Sequence, residues 1–231
     1  MTDVIADIAA EELVLCPERA IYWPRRRMLL VADPHFGKAA AFRALGVFVP
    51  KGTTTDALSR LNALTARLSP ARIVFLGDFL HAKEGRNDAT FAALASWRSV
   101  HQDVEMQIVR GNHDRRAGDP PDEVGISCVD GPVLEPPFAL AHHPDELPGH
   151  YVLAGHLHPC AVLVGPARQT ERLPCFWFGR AVAVLPAFGD FTGCAEIEPE
   201  KEDRVWVAAD DRVVIATPSS ASLFQRRSAR R

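Results

Sequence analysis

Apolar positions along this chain recur with two periods, one typical of strands and one typical of helices. Runs in which nearly every residue is apolar predict buried strands over "RMLLVAD", "ARIVFLGD" and "EMQIVRGNHD". Leucines at helical spacing predict a helix from Thr53 to Leu68, capped by the hydroxyls of "GTTTD", and a second helix covers 87–100. This alternation of strands and helices predicts a mainly parallel sheet with crossover helices.

Strand-like segments also lie outside this alternating region. Two short strands are predicted over 12–15 and 20–23, and a polar, proline-containing loop at 118–123 ends the alternating pattern. Beyond it come "PPFALAHHP", "YVLAGHLHP", "CFWFGRAVAVLPAFG" and "RVWVAADDRVVIAT", which are strand-like and closely spaced. We therefore expect an α/β fold of the α+β sandwich type, with two mixed sheets packed face to face and flanked by helices.

Length and composition indicate one domain in the cytoplasm. The 231 residues suffice for one domain over 1–220, followed by a short basic tail over 221–231 that we expect to be disordered. The N-terminal segment is acidic and has no signal-peptide pattern, and no apolar stretch reaches the roughly 20 residues that span a bilayer. A net charge of −3 gives no overall basic character, although arginine runs occur at 25–27, at 115–116 and in the tail.

The five cysteines are odd in number, scattered, and form no CxxC pair. This pattern argues against a disulfide framework and against a cysteine-rich zinc site. We therefore predict free thiols in a reducing compartment for Cys16, Cys128, Cys160, Cys175 and Cys194.

Polar residues that can bind metals follow the apolar runs. Single DxH or glycine–aspartate pairs are common in turns, but six of the nine histidines lie at such run ends, so a metal site is the better interpretation. Ligands bind beyond the carboxyl ends of strands, where these clusters can meet. Residues two apart in an extended chain also point the same way, and Gly77, Gly111 and Gly155 allow close backbone approach. The clusters are Asp33/His35, Asp78, Asn112/His113/Asp114, His142/His143 and His156/His158.

The ordered series DxH, GD, GNHD, H and GHxH, from Asp33 to His158, resembles the calcineurin-like, or binuclear metallophosphoesterase, superfamily. The stretches "DPHFGKAAAFRALGVFVPKGTT", "GDFLH", "HHP" and "LPAFGDFTG" resemble more closely the bacterial DNA-ligase-associated metallophosphoesterases, the PdeM group. This second resemblance covers most of residues 28–195. It implies the metallophosphoesterase fold and a site for two divalent metal ions.

The resemblance also implies a role for each matching residue. The ligands of the first ion would be Asp33, His35, Asp78 and His158, and those of the second would be Asp78, Asn112, His142 and His156. The family pattern favours His142 over its neighbour His143, but both remain open. His113 would act on the leaving group or on transition-state charge, and Asp114 beside it could orient an imidazole.

Four further residues are candidates for contact with substrate. His81 matches a GDxxH pattern of the resembling group, and Lys38, Arg43 and Arg115 could bind phosphates. A solvent-exposed loop histidine and ordinary basic surface residues are the alternatives.

The resemblance implies a manganese-dependent phosphodiesterase that cleaves DNA, as an endonuclease on single strands, in DNA repair beside a DNA ligase and a helicase. The donor types suit iron or zinc as well. One alternative is a small-molecule phosphoesterase acting on a nucleotide or a pyrophosphate-containing substrate. A non-catalytic binding module is the other, but every ligand position is intact, which disfavours it.

Overall fold

The strand Met28–Val31 (β4) is buried along its whole length because other elements cover both of its faces. Leu30 packs into the core between two sheets, whereas Leu29 and Val31 pack under the helices. The structure is a computed structural model that describes residues 1–49, 52–164 and 170–216. The predicted basic tail at 221–231 lies outside these residues, as does the predicted domain end at 220.

The first sheet contains seven strands that lie side by side in chain order. Its first four strands form an antiparallel meander, and its last four run parallel. The strands are β1 (Val4–Ile8), β2 (Glu11–Cys16), β3 (Ala20–Trp23), β4, β5 (Arg72–Phe75), β6 (Glu105–Val109) and β7 (Ser127–Val129).

The second sheet contains nine strands with mixed directions. Strands β9, β10 and β13 run parallel at its centre, and β12 continues the sheet in the antiparallel direction. The strands are β8 (Val133–Glu135), β9 (Phe138–Leu140), β10 (Tyr151–Ala154), β11 (Pro159–Val164), β12 (Thr170–Phe178), β13 (Val182–Val184), β14 (Ala195–Glu196), β15 (Arg204–Ala209) and β16 (Arg212–Ile215).

The helices cover the outer face of the first sheet. The helices are α1 (Lys38–Ala44), α2 (Thr53–Leu68), α3 (Asp88–Val100) and α4 (Asn112–Ala117). Leu58, Leu61 and Leu64 of α2 pack against this face together with Leu94 and Trp97 of α3. The predicted fold of two mixed sheets flanked by helices is confirmed.

The predicted cap of α2 is wrong. Gly52 precedes the helix with φ +104°, and no side chain caps the helix start. The threonines lie inside the first turn, and Thr54 Oγ1 instead accepts a hydrogen bond from the Gly37 N–H at 3.2 Å. This bond ties α2 to the loop that leads into α1.

The prediction that all five cysteines are free is also wrong. Cys160 and Cys194, 34 positions apart, form a disulfide. Parallel pairing of β11 with β14 brings the two positions together, a relationship that sequence spacing does not show. Cys16, Cys128 and Cys175 are free.

Within the described residues, no helix is both long enough and apolar enough to cross a bilayer.

Candidate metal centre

Polar loops from five strand ends meet at one edge of the two sheets. Because β4, β5 and β6 run parallel, their carboxyl ends lie on the same side, and the parallel pair β9 and β10 supplies the other loops. The residues that follow these five strands are Asp33, Asp78, Asn112, His142 and His156.

One cluster consists of Asp33, His35, Asp78 and His158. Each offers one ligand atom, and these four atoms all lie within 4.8 Å of one another. His35 Nε2 is 3.4 Å from His158 Nε2 and 3.8 Å from Asp78 Oδ2. Asp33 Oδ1 is 3.7 Å from His158 Nε2. This group could hold a metal ion.

A second cluster surrounds the ring of His142. Its Nε2 is 2.9 Å from Asn112 Oδ1, 3.1 Å from His156 Nδ1 and 3.4 Å from Asp78 Oδ1. Two ligands about 2.1 Å from one ion and at roughly right or tetrahedral angles lie about 3.0–3.4 Å apart. These four residues therefore have the spacing of donors that share one ion.

Asp78 belongs to both clusters through different oxygens. Its Oδ2 faces His35, and its Oδ1 faces His142 and accepts a hydrogen bond from the His113 N–H at 2.9 Å. The side chain is 3% exposed. A carboxylate in this position can bridge two ions.

Asp33 shows that the site fits a cation. Its Oδ1 is buried and has no hydrogen-bond partner, and the residue is fully buried. An unpaired buried carboxylate oxygen is costly, and a bound cation would compensate that cost.

The ionisation of the imidazoles also suits metal binding. Burial lowers the pKa of His142 to about 4 and lowers the pKa of His35 further. Both rings are therefore neutral near pH 7, the form that binds metal ions. Burial opposes charge on His158 too, but the Asp33 carboxylate outweighs it and raises the pKa of His158.

Candidate ligands carry unusual backbone conformations. Five of them have φ between +48° and +72°, in the left-handed region that non-glycine residues seldom adopt. They are Asp33, His35, Asp78, His156 and His158. The extended backbone expected at the pairs Asp33/His35 and His156/His158 is therefore wrong. Such strain concentrates at functional sites, where packing maintains it.

The predicted close approach at three glycines is confirmed. A Cβ on Gly77 would lie 2.2 Å from His142 Nδ1, and one on Gly111 would lie 2.3 Å from Asp78 Oδ1. At Gly155 it would lie 2.5 Å from Asp33 Oδ2. Any side chain at these positions would displace a candidate ligand.

His113 and His81 form a third group beside the first cluster. His113 donates its Nδ1–H to the His81 carbonyl oxygen at 2.5 Å, so its Nε2 is the nitrogen that faces Asp78, 3.9 Å from Oδ2. The two rings stack with centroids 5.0 Å apart. His81 Nδ1 also lies 3.4 Å from His35 Nδ1, and burial lowers the pKa of His81 to about 4.

Asp114 has a different set of contacts from the one expected. Its carboxylate accepts hydrogen bonds from the backbone N–H groups of Leu80 at 3.0 Å and Gly111 at 2.9 Å. It therefore fastens the start of α4 to the loop after β5 and does not orient an imidazole through these bonds. The expectation that it does so is corrected accordingly.

The doubled histidine separates into an inner and an outer residue. His142 is 3% exposed and donates its Nδ1–H to the Leu76 carbonyl oxygen at 3.0 Å. His143 is exposed, and its ring lies 4.3 Å from that of His156. A ring nitrogen of His143 nevertheless lies within 4.8 Å of ligand atoms of His142 and His156, so both histidines are near the second cluster, His142 buried and His143 exposed.

The three candidate phosphate contacts lie in different surroundings. Lys38 is half-buried beside the first cluster, and its charge lowers the pKa of His35 and His81 after the larger effect of burial. Arg115 lines a cavity of 210 Å³ together with His142 and His143. Arg43 lines a separate cavity of 430 Å³ between α1 and the starts of α2 and α3.

Sequence reasoning did not assign the loop 189–193 to the site. The Gly189 N–H donates to the Asp33 carbonyl oxygen at 3.1 Å, and the Gly193 carbonyl accepts the His158 Nδ1–H at 3.1 Å. The loop therefore orients one candidate ligand through its far ring nitrogen. Its glycines were the available signal, but nothing in their spacing shows which strand end they approach.

Comparison with known proteins found a solved structure that matches this chain over nearly its whole length. No protein-family model and no curated protein matches the chain. The crystal structure of Pseudomonas putida nuclease MPE matches with 44% identity and a TM-score of 0.80, over 90% of this chain and 97% of that one.

Two other solved structures match weakly. The Aquifex aeolicus protein of unknown function AQ665 has 17% identity and a TM-score of 0.39, over 57% of this chain and 78% of that one. The phosphoesterase Yfce from E. coli has 14% identity and a TM-score of 0.38, over 85% and 94%. Both superpose too poorly to bear on the function of this chain.

Proposed function

Because the chain belongs to the family of Pseudomonas putida nuclease MPE, we propose that it is a two-metal phosphodiesterase that cleaves DNA. It is a hydrolase of the phosphoesterase type. The finer proposal is an endonuclease acting on single-stranded DNA.

The observation that carries this proposal is the position of Asp78 between two donor clusters. We assign Asp33, His35, Asp78 and His158 to one ion, and Asp78, Asn112, His142 and His156 to the other. When bound, two divalent ions supply charge that polarises a phosphodiester and activates water, with Mn²⁺ expected and iron or zinc also suited to these donors. Only two of the seven side chains are carboxylates, so the loaded site keeps positive charge for a phosphate.

His113 is the proposed proton donor. The His81 carbonyl holds its Nδ1–H, so the Nε2 that faces the clusters is free to carry the transferred proton. As an imidazolium, His113 donates this proton to the leaving oxygen of the cleaved phosphodiester. His81 stacks on the ring and keeps its orientation.

Basic residues supply contacts to the flanking phosphates. Lys38 is the best placed, since it lies beside the first cluster. Arg115, which shares a cavity with His142 and also pairs with Asp130 at 3.4 Å, and Arg43 farther along α1 are the other proposed contacts. His81 is a further contact on the same side.

The cellular role follows from the resemblance to DNA-ligase-associated enzymes. We propose that the protein acts in DNA repair in the cytoplasm, with single-stranded DNA as substrate and a DNA ligase and a helicase as partners in the same system.

The experiment that tests this function uses circular single-stranded DNA, which offers no ends to an exonuclease or a monoesterase. Chelator-stripped protein would be reloaded with Mn²⁺ and compared with Asp78→Asn and with Asp211→Asn, a change at an exposed aspartate in the turn between β15 and β16. We expect nicking by the wild type and by Asp211→Asn, and none by Asp78→Asn. Intact circles together with hydrolysis of a simple phosphate ester would support the small-molecule alternative.

A further inference from the structure

Two phenylalanines expose their rings to solvent, against the usual preference of this residue. Phe48 is 94% exposed and Phe191 is 59% exposed, whereas every other phenylalanine in the described part of the chain is buried or half-buried. Phe191 lies in a loop that contacts the candidate metal centre, and Phe48 follows α1, whose Phe42 ring lies beside His81. Large exposed apolar groups gathered at one place mark a binding surface.

The loop of Phe48 follows α1, the helix that carries a ring contact to His81. The Val47 N–H donates to the Phe42 carbonyl oxygen at 2.9 Å, and the Phe42 ring lies 5.7 Å from the ring of His81. Leu45 and Val47 are also exposed, at 70% and 51%. The amine of Lys38 lies 5.8 Å from the centre of the Phe42 ring. Apolar and cationic groups therefore occur together on this side of the centre.

The loop of Phe191 adjoins Asp33 and His158. Phe191 lies between Gly189 and Gly193, the residues that bond to Asp33 and His158. Salt bridges from Arg19 at 3.0 Å and Arg60 at 2.7 Å hold the neighbouring Asp190 in place. Phe191 itself has φ +56°, an uncommon conformation for a bulky side chain. The loop thus holds the ring outward on an anchored backbone.

We propose that Phe48 and Phe191 stack on unpaired nucleobases of the DNA strand on the two flanks of the cleaved phosphodiester. Each unpaired base has an exposed π-face, and stacking on an aromatic side chain contributes about 1–3 kcal/mol per base. In a duplex these faces are covered by neighbouring bases. The two rings therefore favour single strands over duplex, while the metal clusters and Lys38 act on the phosphates.

This inference rests on the proposed function, and its test separates the two. The variants are Phe48→Ala, Phe191→Ala and their double, with Phe48→Trp as the conservative change and Val100→Ala as an exposed control at the end of α3. Hydrolysis of bis(p-nitrophenyl) phosphate reports the metal centre alone. Cleavage of a single-stranded oligonucleotide, and of the same strand with abasic sites, reports stacking.

We expect each alanine change to raise KM for the single strand by about 5- to 150-fold relative to the small ester, which corresponds to the stacking energy of one base. Phe48→Trp retains wild-type KM, and on the abasic strand the alanine variants and the wild type have equal KM. The proposal would be overturned if the alanine changes raised KM equally for the intact and abasic strands, or equally for DNA and the small ester. Should the wild type cleave neither substrate, the proposed function fails, and binding of a fluorescent single strand in chelator still tests the stacking.

Discussion

Gly111 and Asp78 pack so closely that a Cβ on Gly111 would lie 2.3 Å from Asp78 Oδ1. We therefore predict that Gly111→Ala displaces the Asp78 carboxylate, which lies between the two clusters. Metal binding and activity should then fall by about 10- to 100-fold. Metal titration and the rate of ester hydrolysis would measure both effects. Gly179→Ala is the matched control, because a Cβ there meets its nearest neighbour at 3.4 Å, an ordinary contact. Equal behaviour of the two variants would refute the packing argument.

His113→Gln separates the transfer of a proton from other roles of this residue. The Nε2 that faces Asp78 is available to a leaving oxygen because the His81 carbonyl holds Nδ1–H. We predict a loss in kcat of about 10²–10⁴-fold on DNA, whose leaving alkoxide needs a proton. The loss should be much smaller for bis(p-nitrophenyl) phosphate, whose phenolate leaves without one. The same loss on both substrates would instead indicate a role in charge stabilisation.

The stability of the metal-free protein should fall in acid. Burial lowers the pKa of His142 from 6.5 to about 4, so the unfolded chain binds a proton first as the pH drops. The free energy of unfolding is then highest above pH 6.5 and decreases down to about pH 4, by up to about 3 kcal/mol for this residue. Urea unfolding at about pH 7 and about pH 4.5 measures how much the free energy of unfolding changes with pH. If His142→Gln showed the same pH dependence of the free energy of unfolding as the wild type, the loss of stability in acid would not come from His142.

The disulfide between Cys160 and Cys194 should stabilise the fold and the loop beside the metal centre. We expect Cys160→Ser/Cys194→Ser to lower the free energy of unfolding by about 2–4 kcal/mol. Metal binding should weaken as well, because Gly193 next to the disulfide orients His158. Treatment of the wild type with a dithiol should reproduce both effects, whereas Cys128→Ser, at a free and half-buried thiol, should not. If reduction changed neither the free energy of unfolding nor metal binding, the pairing of β11 with β14 would be enough to hold the loop without the disulfide.

Lys38 should act on DNA mainly through charge. We predict that Lys38→Ala raises KM for DNA and reduces the slope of log K against log salt by about one. Lys83→Ala is the matched control, since Lys83 is an exposed lysine at the start of the short 3-10 helix Lys83–Gly85, beyond the loop after β5. The salt dependence of binding to a single-stranded oligonucleotide measures the effect. An unaltered slope would remove Lys38 from the phosphate contacts.

Local patterns were sufficient to predict much of the fold. The helical spacing of leucines placed α2 at Thr53–Leu68, and continuous apolar runs placed β4, β5 and β6. These signals depend on periods of a few residues, so they can be seen in one stretch of chain. Strands such as β1, β8 and β14 were missed because they lie at sheet edges and the latter two have only two or three residues, too few for a period to show. The partner of β14, strand β11, is also more than 30 residues away in the sequence.

The candidate site, too, was predictable in part from local sequence and in part only from the tertiary structure. The sequence by itself determined the donor types and their positions after apolar runs, because a metal site needs carboxylate, amide and imidazole groups at the ends of strands. Only the tertiary structure decided which oxygen of Asp78 faces which cluster, that His142 lies inside and His143 outside, and that Asp114 bonds to backbone amides. It also decided the Cys160–Cys194 pairing and the approach of Gly193 to His158. These relationships join residues far apart in sequence, and sheet packing, which no local period records, sets their distances.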